Sequence, residues 1–353
     1  MSSRQRKTDG LRKPHNGGRD NGGDRIPASS LMRAINVVGD VWTVLILKEA
    51  FFRVHRFQEL HASLRIPRQT LMLRLESLTD NQILYRKPVR RRTLVHEYRL
   101  TPKGLDLYDF ILSIWAWHRR WDPESKFLPS SLVHRSCGHP LEPRFVCRSC
   151  NRELRREDVT TIEGDGSGFD PRPPARLSRQ NDIAFARPFA REATRYPAAS
   201  ITGDRWSNLV LYSIYQGTRN FFSIKQELNI SSSILSSRLK KLVALEIIEA
   251  DRKGRRIEYR VTARGEDFYP MLSSLIAWGN RWFAGAKGPP QIMIHDCGQV
   301  LDPRHVCVHC SSVIRAWDVI APDALESRSS DRQAPATITG TTADPTLDRE
   351  SAD

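Results

Sequence analysis

Two stretches carry the clearest helical pattern in the chain. PRQTLMLRLESL, from Pro67 to Leu78, sets Leu71, Leu75 and Leu78 at i, i+4 and i+7, and SSSILSSRLKKL, from Ser231 to Leu242, repeats the spacing with Leu235, Leu239 and Leu242. That period places one apolar stripe on an amphipathic helix and leaves the opposite face to contact something else. Pro67 suits the first helical position, and Ser231 or Ser232 can cap orphan amides of the second copy. Upstream, the apolar run Leu31 to Val38 predicts a helix ending before Gly39-Asp40. Asp40 can cap a second helix, Val41 to about Phe52, in which Trp42, Leu45, Ile46 and Glu49 follow a helical period. A third helix is expected from Arg56 to Leu64, burying Phe57 and Leu60, and Arg65-Ile66 then turns the chain into the leucine-striped helix. Helix, short turn, helix is the arrangement whose second member can enter the major groove of DNA.

The period then changes. After Asn81-Gln82, Ile83 to Arg86 and Leu94 to Leu100 read as two strands around a basic loop, Lys87 to Thr93. A hairpin with a cationic tip beside a helix-turn-helix is a wing, suited to the sugar-phosphate backbone or a minor groove. Thr101-Pro102-Lys103-Gly104 restarts a long helix through Trp121. Its Leu107, Phe110, Ile111, Ile114, Trp115 and Trp117 offer more apolar area than one small domain needs.

The whole unit is duplicated. Gly39-Asp40-Val41-Trp42 aligns with Gly203-Asp204-Arg205-Trp206, Phe57 with Phe221, Leu64 with Leu228, Arg74 with Arg238 and Leu78 with Leu242. After a three-residue shortening of the second hairpin tip, Tyr98 matches Tyr259, Thr101 matches Thr262, Gly104 matches Gly265, and Trp117 and Trp121 match Trp278 and Trp282. A length change confined to a hairpin tip is what an exposed loop tolerates.

Charge narrows the partner. The 353 residues carry a formal net charge of +15, which suits a polyanion, and nucleic acid is the leading class. No apolar run approaches the ~20 residues that span a bilayer, no apolar signal core opens the chain, and a cytoplasmic location is expected. No phosphate-cradling glycine loop, nucleophile elbow or open metal motif points to an enzyme.

All six cysteines fall in two short windows, one after each winged unit. The first reads His134-Arg-Ser-Cys137-Gly-His139 and continues to Cys147 and Cys150; the second reads His295-Asp-Cys297-Gly and continues to His305, Cys307, His309 and Cys310. Both keep C-G-x8-C-x2-C. In a reducing compartment that pattern favours metal over disulfides. Three thiolates and a histidine complete a tetrahedral zinc shell, so His134, Cys137, Cys147 and Cys150, and likewise His295, Cys297, Cys307 and Cys310, are expected to hold two structural Zn2+ ions. His134 stands three residues before its cysteine and His295 only two, a slip that on an extended strand would turn the imidazoles to opposite faces; His139, His305 and His309 are the alternatives.

GDxW, a helix, F-x-x-L or F-x-x-I, the leucine-rich helix with an internal Arg-Leu, and then E-Y-R-L/V-T-x-x-G occur in the same order in both copies, over about residues 31 to 121 and 195 to 283. This order resembles the HxlR family of bacterial winged helix-turn-helix transcription regulators. The resemblance implies a homodimer-like arrangement with terminal helices at the interface, here fused into one chain. Redox-sensing members of that family carry a cysteine near the start of the domain, whereas Leu31 to Gly39 and Tyr196 to Gly203 contain none, so that thiol switch is not expected.

The fold expected is α+β, mainly α: a pseudo-dimer of tandem winged helix-turn-helix domains with two zinc-ribbon-like elements. The boundaries are a disordered basic arm (1–27), winged domain 1 (28–125), ribbon 1 (130–156), a linker (157–194) rich in Gly and Pro, winged domain 2 (195–286), ribbon 2 (290–320) and a disordered tail (321–353). Double-stranded DNA is the expected partner, read as an imperfect palindrome, with no membrane partner, the two winged domains pairing within the chain, and any small-molecule effector unidentified. Base contacts are assigned to Arg68, Gln69 and Met72 in the first copy and to Ser232, Ser233 and Ser236 in the second. Phosphate contacts fall to Lys87, Arg90, Arg91, Arg92, Arg252, Lys253, Arg255 and Arg256. Arg74 and Arg238 fit either a phosphate contact or a structural ion pair. The tryptophans Trp115, Trp117, Trp121, Trp278 and Trp282 read as core and interdomain packing, with an effector pocket as the lesser alternative. Two competing functions are a zinc-thiol redox-responsive regulator, which would eject metal on oxidation, and a protein-protein scaffold, whose binding would lack the steep salt dependence of DNA contact.

Overall fold

The computed structural model describes residues 25–89, 95–124, 128–171, 197–254 and 256–322. In the first repeat, α1 (Ser30–Val38) and α2 (Val41–Phe51) lead to α3 (Phe57–Leu64) and α4 (Arg68–Asp80), followed by the hairpin β2 (Leu84–Pro88) and β3 (His96–Leu100). The Asp40 carboxylate caps α2 by accepting from the Thr43 amide at 3.1 Å. Leu71, Leu75 and Leu78 of α4 are buried, as their spacing requires. Pro67 occupies the N-cap, one position earlier than expected; with φ −54° and ψ 134° its backbone is still extended, and Arg68 opens the helix.

The long helix expected from Thr101 to Trp121 is two pieces, α5 (Pro102–Leu105) and α6 (Tyr108–Trp121). Thr101 caps α5 and its amide donates to the Ile83 carbonyl at 3.0 Å. A Cβ on Gly104 would lie 2.2 Å from that same carbonyl oxygen, so only glycine lets α5 dock there. The chain then restarts at α6.

The second repeat runs α7 (Pro197–Thr202), α8 (Arg205–Tyr215), α9 (Phe221–Leu228), α10 (Ser232–Ala244), β8 (Ile248–Lys253), β9 (Arg256–Val261), α11 (Ala263–Glu266) and α12 (Tyr269–Trp282). Ser231 is the cap, accepting from the Ile234 amide. Gly265 repeats the role of Gly104 against the Ile247 carbonyl, 2.1 Å from an added Cβ.

The repeats meet through reciprocal contacts. Trp117 Nε1 donates to the Arg264 carbonyl and Trp278 Nε1 to the Lys103 carbonyl, each at 3.0 Å. Trp121 and Trp282 donate to Asp267 and Asp106, each at 2.7 Å. The same carboxylates pair with Arg120 and Arg281. Asp40 and Asp204 face each other across an antiparallel bridge. α6 lies against α12, and α1 of the first repeat packs on α12 of the second, so one buried apolar core runs through both units.

The cysteine-bearing segments are not self-contained. β4 (Val133–His134) pairs with β12 (Val319–Ile320), β5 (Pro143–Cys147) with β11 (Pro303–Cys307), and β6 (Val159–Glu163) with β10 (Gln291–His295), all antiparallel and all between repeats. The segment expected to be linker from 157 therefore begins with a paired strand. Further on, β7 (Phe169–Pro171) pairs with β1 (Arg25–Pro27) at the end of the expected basic arm. Arg33 ties this pair to α1 through Asp170 at 2.8 Å. The remainder of the arm and linker, and the tail from 323, lie outside the described residues.

Candidate nucleic-acid interface and metal centres

α4 turns its leucine stripe inward and leaves Arg68, Gln69, Met72 and Leu73 exposed, with Met72 and Leu73 at 55% and 45%. Arg68 is braced rather than loose: its guanidinium lies 5.3 Å from the Phe57 ring centroid and Nη1 donates to Gln58 Oε1 at 3.3 Å. Gln58, a residue that leucine spacing could not single out, thus joins the outer face through its contact with Arg68. In α10, Ser232 and Ser233 are exposed and Ser236 is half-buried. The largest exposed apolar group of this face is Phe222, on α9, at the position equivalent to Gln58.

Arg74 and Arg238 take the ion-pair alternative of their two expected roles. Arg74 Nε lies 3.2 Å from Asp40, and Arg238 Nε lies 2.8 Å from Asp204, with every side chain involved largely buried. Both cations are held on the carboxylates that cap α2 and α8, the structural ion pair that the sequence left open beside a phosphate contact. Lys241 adds a second cation on Asp204 at 3.2 Å. Burial pushes the Asp204 carboxyl up, but Lys241 and Arg238 outweigh it and hold the group below the usual range.

In the first wing Lys87 is exposed, opposite Glu97 in register. Arg90, Arg91 and Arg92 lie outside the described residues. In the second, Arg252 and Arg256 are exposed, Arg255 lies outside the described residues, and Lys253 stands opposite Arg256 on the hairpin.

The eight expected metal ligands gather into two sets, but not one set per ribbon. His134 and Cys137 of the first meet Cys307 and Cys310 of the second, while Cys147 and Cys150 of the first meet His295 and Cys297 of the second; in each set all four ligand atoms lie within 4.8 Å of one another. His134 Nδ1 is 3.4 Å from the Sγ of Cys137 and of Cys310. Cys137 Sγ is 3.9 Å from Cys307 Sγ, and Cys150 Sγ is 3.5 Å from His295 Nδ1. A tetrahedral zinc with bonds of ~2.0–2.3 Å needs ligand atoms roughly 3.3–3.8 Å apart, and the donor set of three sulfurs and one imidazole fits. The expected grouping of ligands within a single ribbon is corrected: the strand pairs β5–β11, β4–β12 and β6–β10 carry each C-x2-C knuckle to the other repeat's histidine.

The one-residue slip is absorbed in the turn. Both imidazoles end a strand, β4 or β10, and are buried. The chain then closes with Gly138 donating to the His134 carbonyl at 2.7 Å or Gly298 to the His295 carbonyl at 2.8 Å, each glycine at positive φ, +74° and +79°. The alternative histidines are engaged elsewhere. His305 Nδ1 is 2.9 Å from Asp109, and the His139 and His309 rings stack at 4.7 Å. Backbone N–H groups at Arg152 and Ser312 draw the thiols of Cys150 and Cys310 below their ordinary range, which favours the thiolates a metal requires.

The description HxlR-like helix-turn-helix matches residues 37–126 and 201–287. The chain belongs to the HxlR-like helix-turn-helix family. Over 142 residues this HxlR-like chain is 39% identical to an uncharacterized HTH-type transcriptional regulator of Mycobacterium tuberculosis strain H37Rv, covering 40% of this chain and 90% of that one. It is 32% identical over 89 residues to the uncharacterized HTH-type transcriptional regulator YvaP of Bacillus subtilis (24% and 82% covered), and 27% identical over 89 residues to the HTH-type transcriptional regulator YodB (24% and 80% covered). The HxlR-like chain is thus a transcriptional regulator of the DNA-binding helix-turn-helix type, built from two family units. Among its described residues no helix is long and apolar enough to cross a membrane.

Proposed function

We propose that the chain binds an imperfect palindrome in double-stranded DNA as a single-chain pseudo-dimer, with two zinc ions clasping its halves. The observation that supports this most is the mixed make-up of the two Cys/His clusters: neither repeat owns a complete set, so each metal would tie one repeat to the other. The reciprocal tryptophan contacts act in the same direction. The Mycobacterium relative, matched over 90% of its length, is less than half as long as this chain; one repeat with one ribbon is about that size. A fused pair of such units presents two readers at one spacing, and half-sites about one helical turn apart, roughly 34–36 Å, follow. His134 or His295 with three cysteines would complete each zinc shell and leave no open position for chemistry, so the metal's contribution is structural.

The wings supply affinity through phosphate, and the exposed faces of α4 and α10 supply discrimination. Arg68, braced by Phe57 and Gln58, is placed to pair bidentately with a guanine, worth about 1–3 kcal/mol against a wrong base. The regulator acts in the cytoplasm, on the nucleoid. Selection of bound sequences from random DNA, followed by footprinting, tests this reading. Two dissimilar half-sites one turn apart, two zinc ions per chain, affinity that falls steeply with salt and loss of binding on chelation are expected. A symmetric site with equal protection, or salt-insensitive binding, overturns it. A redox-responsive regulator is the second reading, favoured by the lowered thiols of Cys150 and Cys310. DNA affinity unchanged by mild peroxide rules it out.

A further inference from the structure

Phe222 is the most exposed large apolar side chain among the described residues, at 79%. It is the second residue of α9, directly after Phe221, and its ring makes a T-shaped pair with that neighbour at 6.0 Å between centroids. The core therefore gains little from it; Phe221 fills the packed position, and Ile224 is the residue of α9 that is buried.

The duplication locates it. Phe222 is equivalent to Gln58, and Ser232 to Arg68. In the first repeat the pair Gln58 and Arg68 touch at 3.3 Å, so this position of the first helix of the motif stands beside the opening residue of the reading helix. In the second repeat the long cation is replaced by a serine, which clears the space Arg68 fills, and the polar amide is replaced by a phenyl ring. By this equivalence, the corner that presents a guanidinium in one repeat offers an exposed aromatic ring and the short hydroxyls of Ser232 and Ser233 in the other. Major-groove chemistry offers one apolar group to such a surface, the C5 methyl of thymine.

We infer that the second reader recognises a thymine methyl through Phe222, so that its half-site is specified by apolar contact where the first is specified by Arg68. This rests on the proposal that α10 enters a major groove. Phe222 is a specificity-determining residue in this scheme, and Ser232 and Ser233 serve by being small.

The test uses the full metal-loaded chain and its selected operator, with each thymine of the α10 half-site replaced in turn by uracil, which lacks only the methyl. One position is expected to bind about fourfold more weakly with uracil, the worth of one buried methyl. That difference is expected to vanish in Phe222→Ala and in Phe222→Gln, the residue of the first repeat, while thymine-to-uracil changes in the α4 half-site read the same in all three proteins. Circular dichroism confirms that the variants fold. Equal binding of thymine and uracil throughout the α10 half-site, or a difference that persists in Phe222→Ala, overturns the inference. Absence of any sequence-specific binding by the unaltered chain instead overturns the reading beneath it.

Discussion

The two repeats share a plan and differ where they meet each other. On α12 of the second repeat, Gly279 lets the α1 backbone approach so closely that a Cβ would lie 2.4 Å from the Ser30 carbonyl oxygen. At the equivalent position of the first repeat, on α6, stands His118, buried and edge-on to Trp117 at 5.4 Å. One half thus closes on its partner by removing a side chain, and the other by burying a titratable one. Identical subunits cannot do this, because each would have to carry both solutions. Duplication within one chain lets the two sides of an interface become complementary, as it lets Gln58 and Arg68 of the first repeat give way to Phe222 and Ser232 in the second.

The comparison can be broken most severely at Gly279. Gly279→Ala must push α1 off α12 or bend both, and a loss of about 3 kcal/mol in unfolding free energy is expected by denaturant titration, at the upper end for overpacking. Next is pH. Burial lowers His118 to about 4 despite the pull of Asp122, while the unfolded histidine titrates near 6.5. Between these values the unfolded chain binds the proton and the folded chain does not, so stability is full above pH ~6.5 and falls as pH drops towards 4. By pH 5 the loss is about 2 kcal/mol. The His118 part of the pH slope should disappear in His118→Gln, and whatever slope remains reports other groups, loss of metal included.

A smaller difference should separate the two capping ion pairs. Asp204 has both Arg238 and Lys241, whereas Asp40 pairs with Arg74. Arg74→Ala is therefore expected to cost about 1 kcal/mol more than Arg238→Ala, because it strands a buried carboxylate. Equal costs in thermal or denaturant unfolding would erase that asymmetry.

Much of this was legible in the chain. The leucine periods of α4 and α10, the caps Asp40 and Ser231, and the register of the two repeats follow from local patterns, and local patterns report local structure. The interruption at Asp106-Leu107 did not, because Leu107 and Phe110 continue a helical apolar period; what re-aims the chain is the docking of α5 on the Ile83 carbonyl, a tertiary contact. The eight Cys and His residues of the two clusters were legible as residue types. Their grouping was not, since C-x2-C spacing defines one knuckle and says nothing of which histidine comes to face it. Nor did the expected linker reveal β6, whose partner β10 lies more than a hundred residues away.

That exchange of ligands has a consequence for the order in which the molecule is made. Cys137 and Cys307, 3.9 Å apart in space, are separated by 170 positions along the chain. A chain leaving the ribosome with only its first repeat owns two ligands for each cluster and no complete cluster. Under the proposed zinc reading, tight metal capture awaits the second ribbon. On that reading a product that stops after the first repeat holds half of each cluster and lacks the clasp altogether.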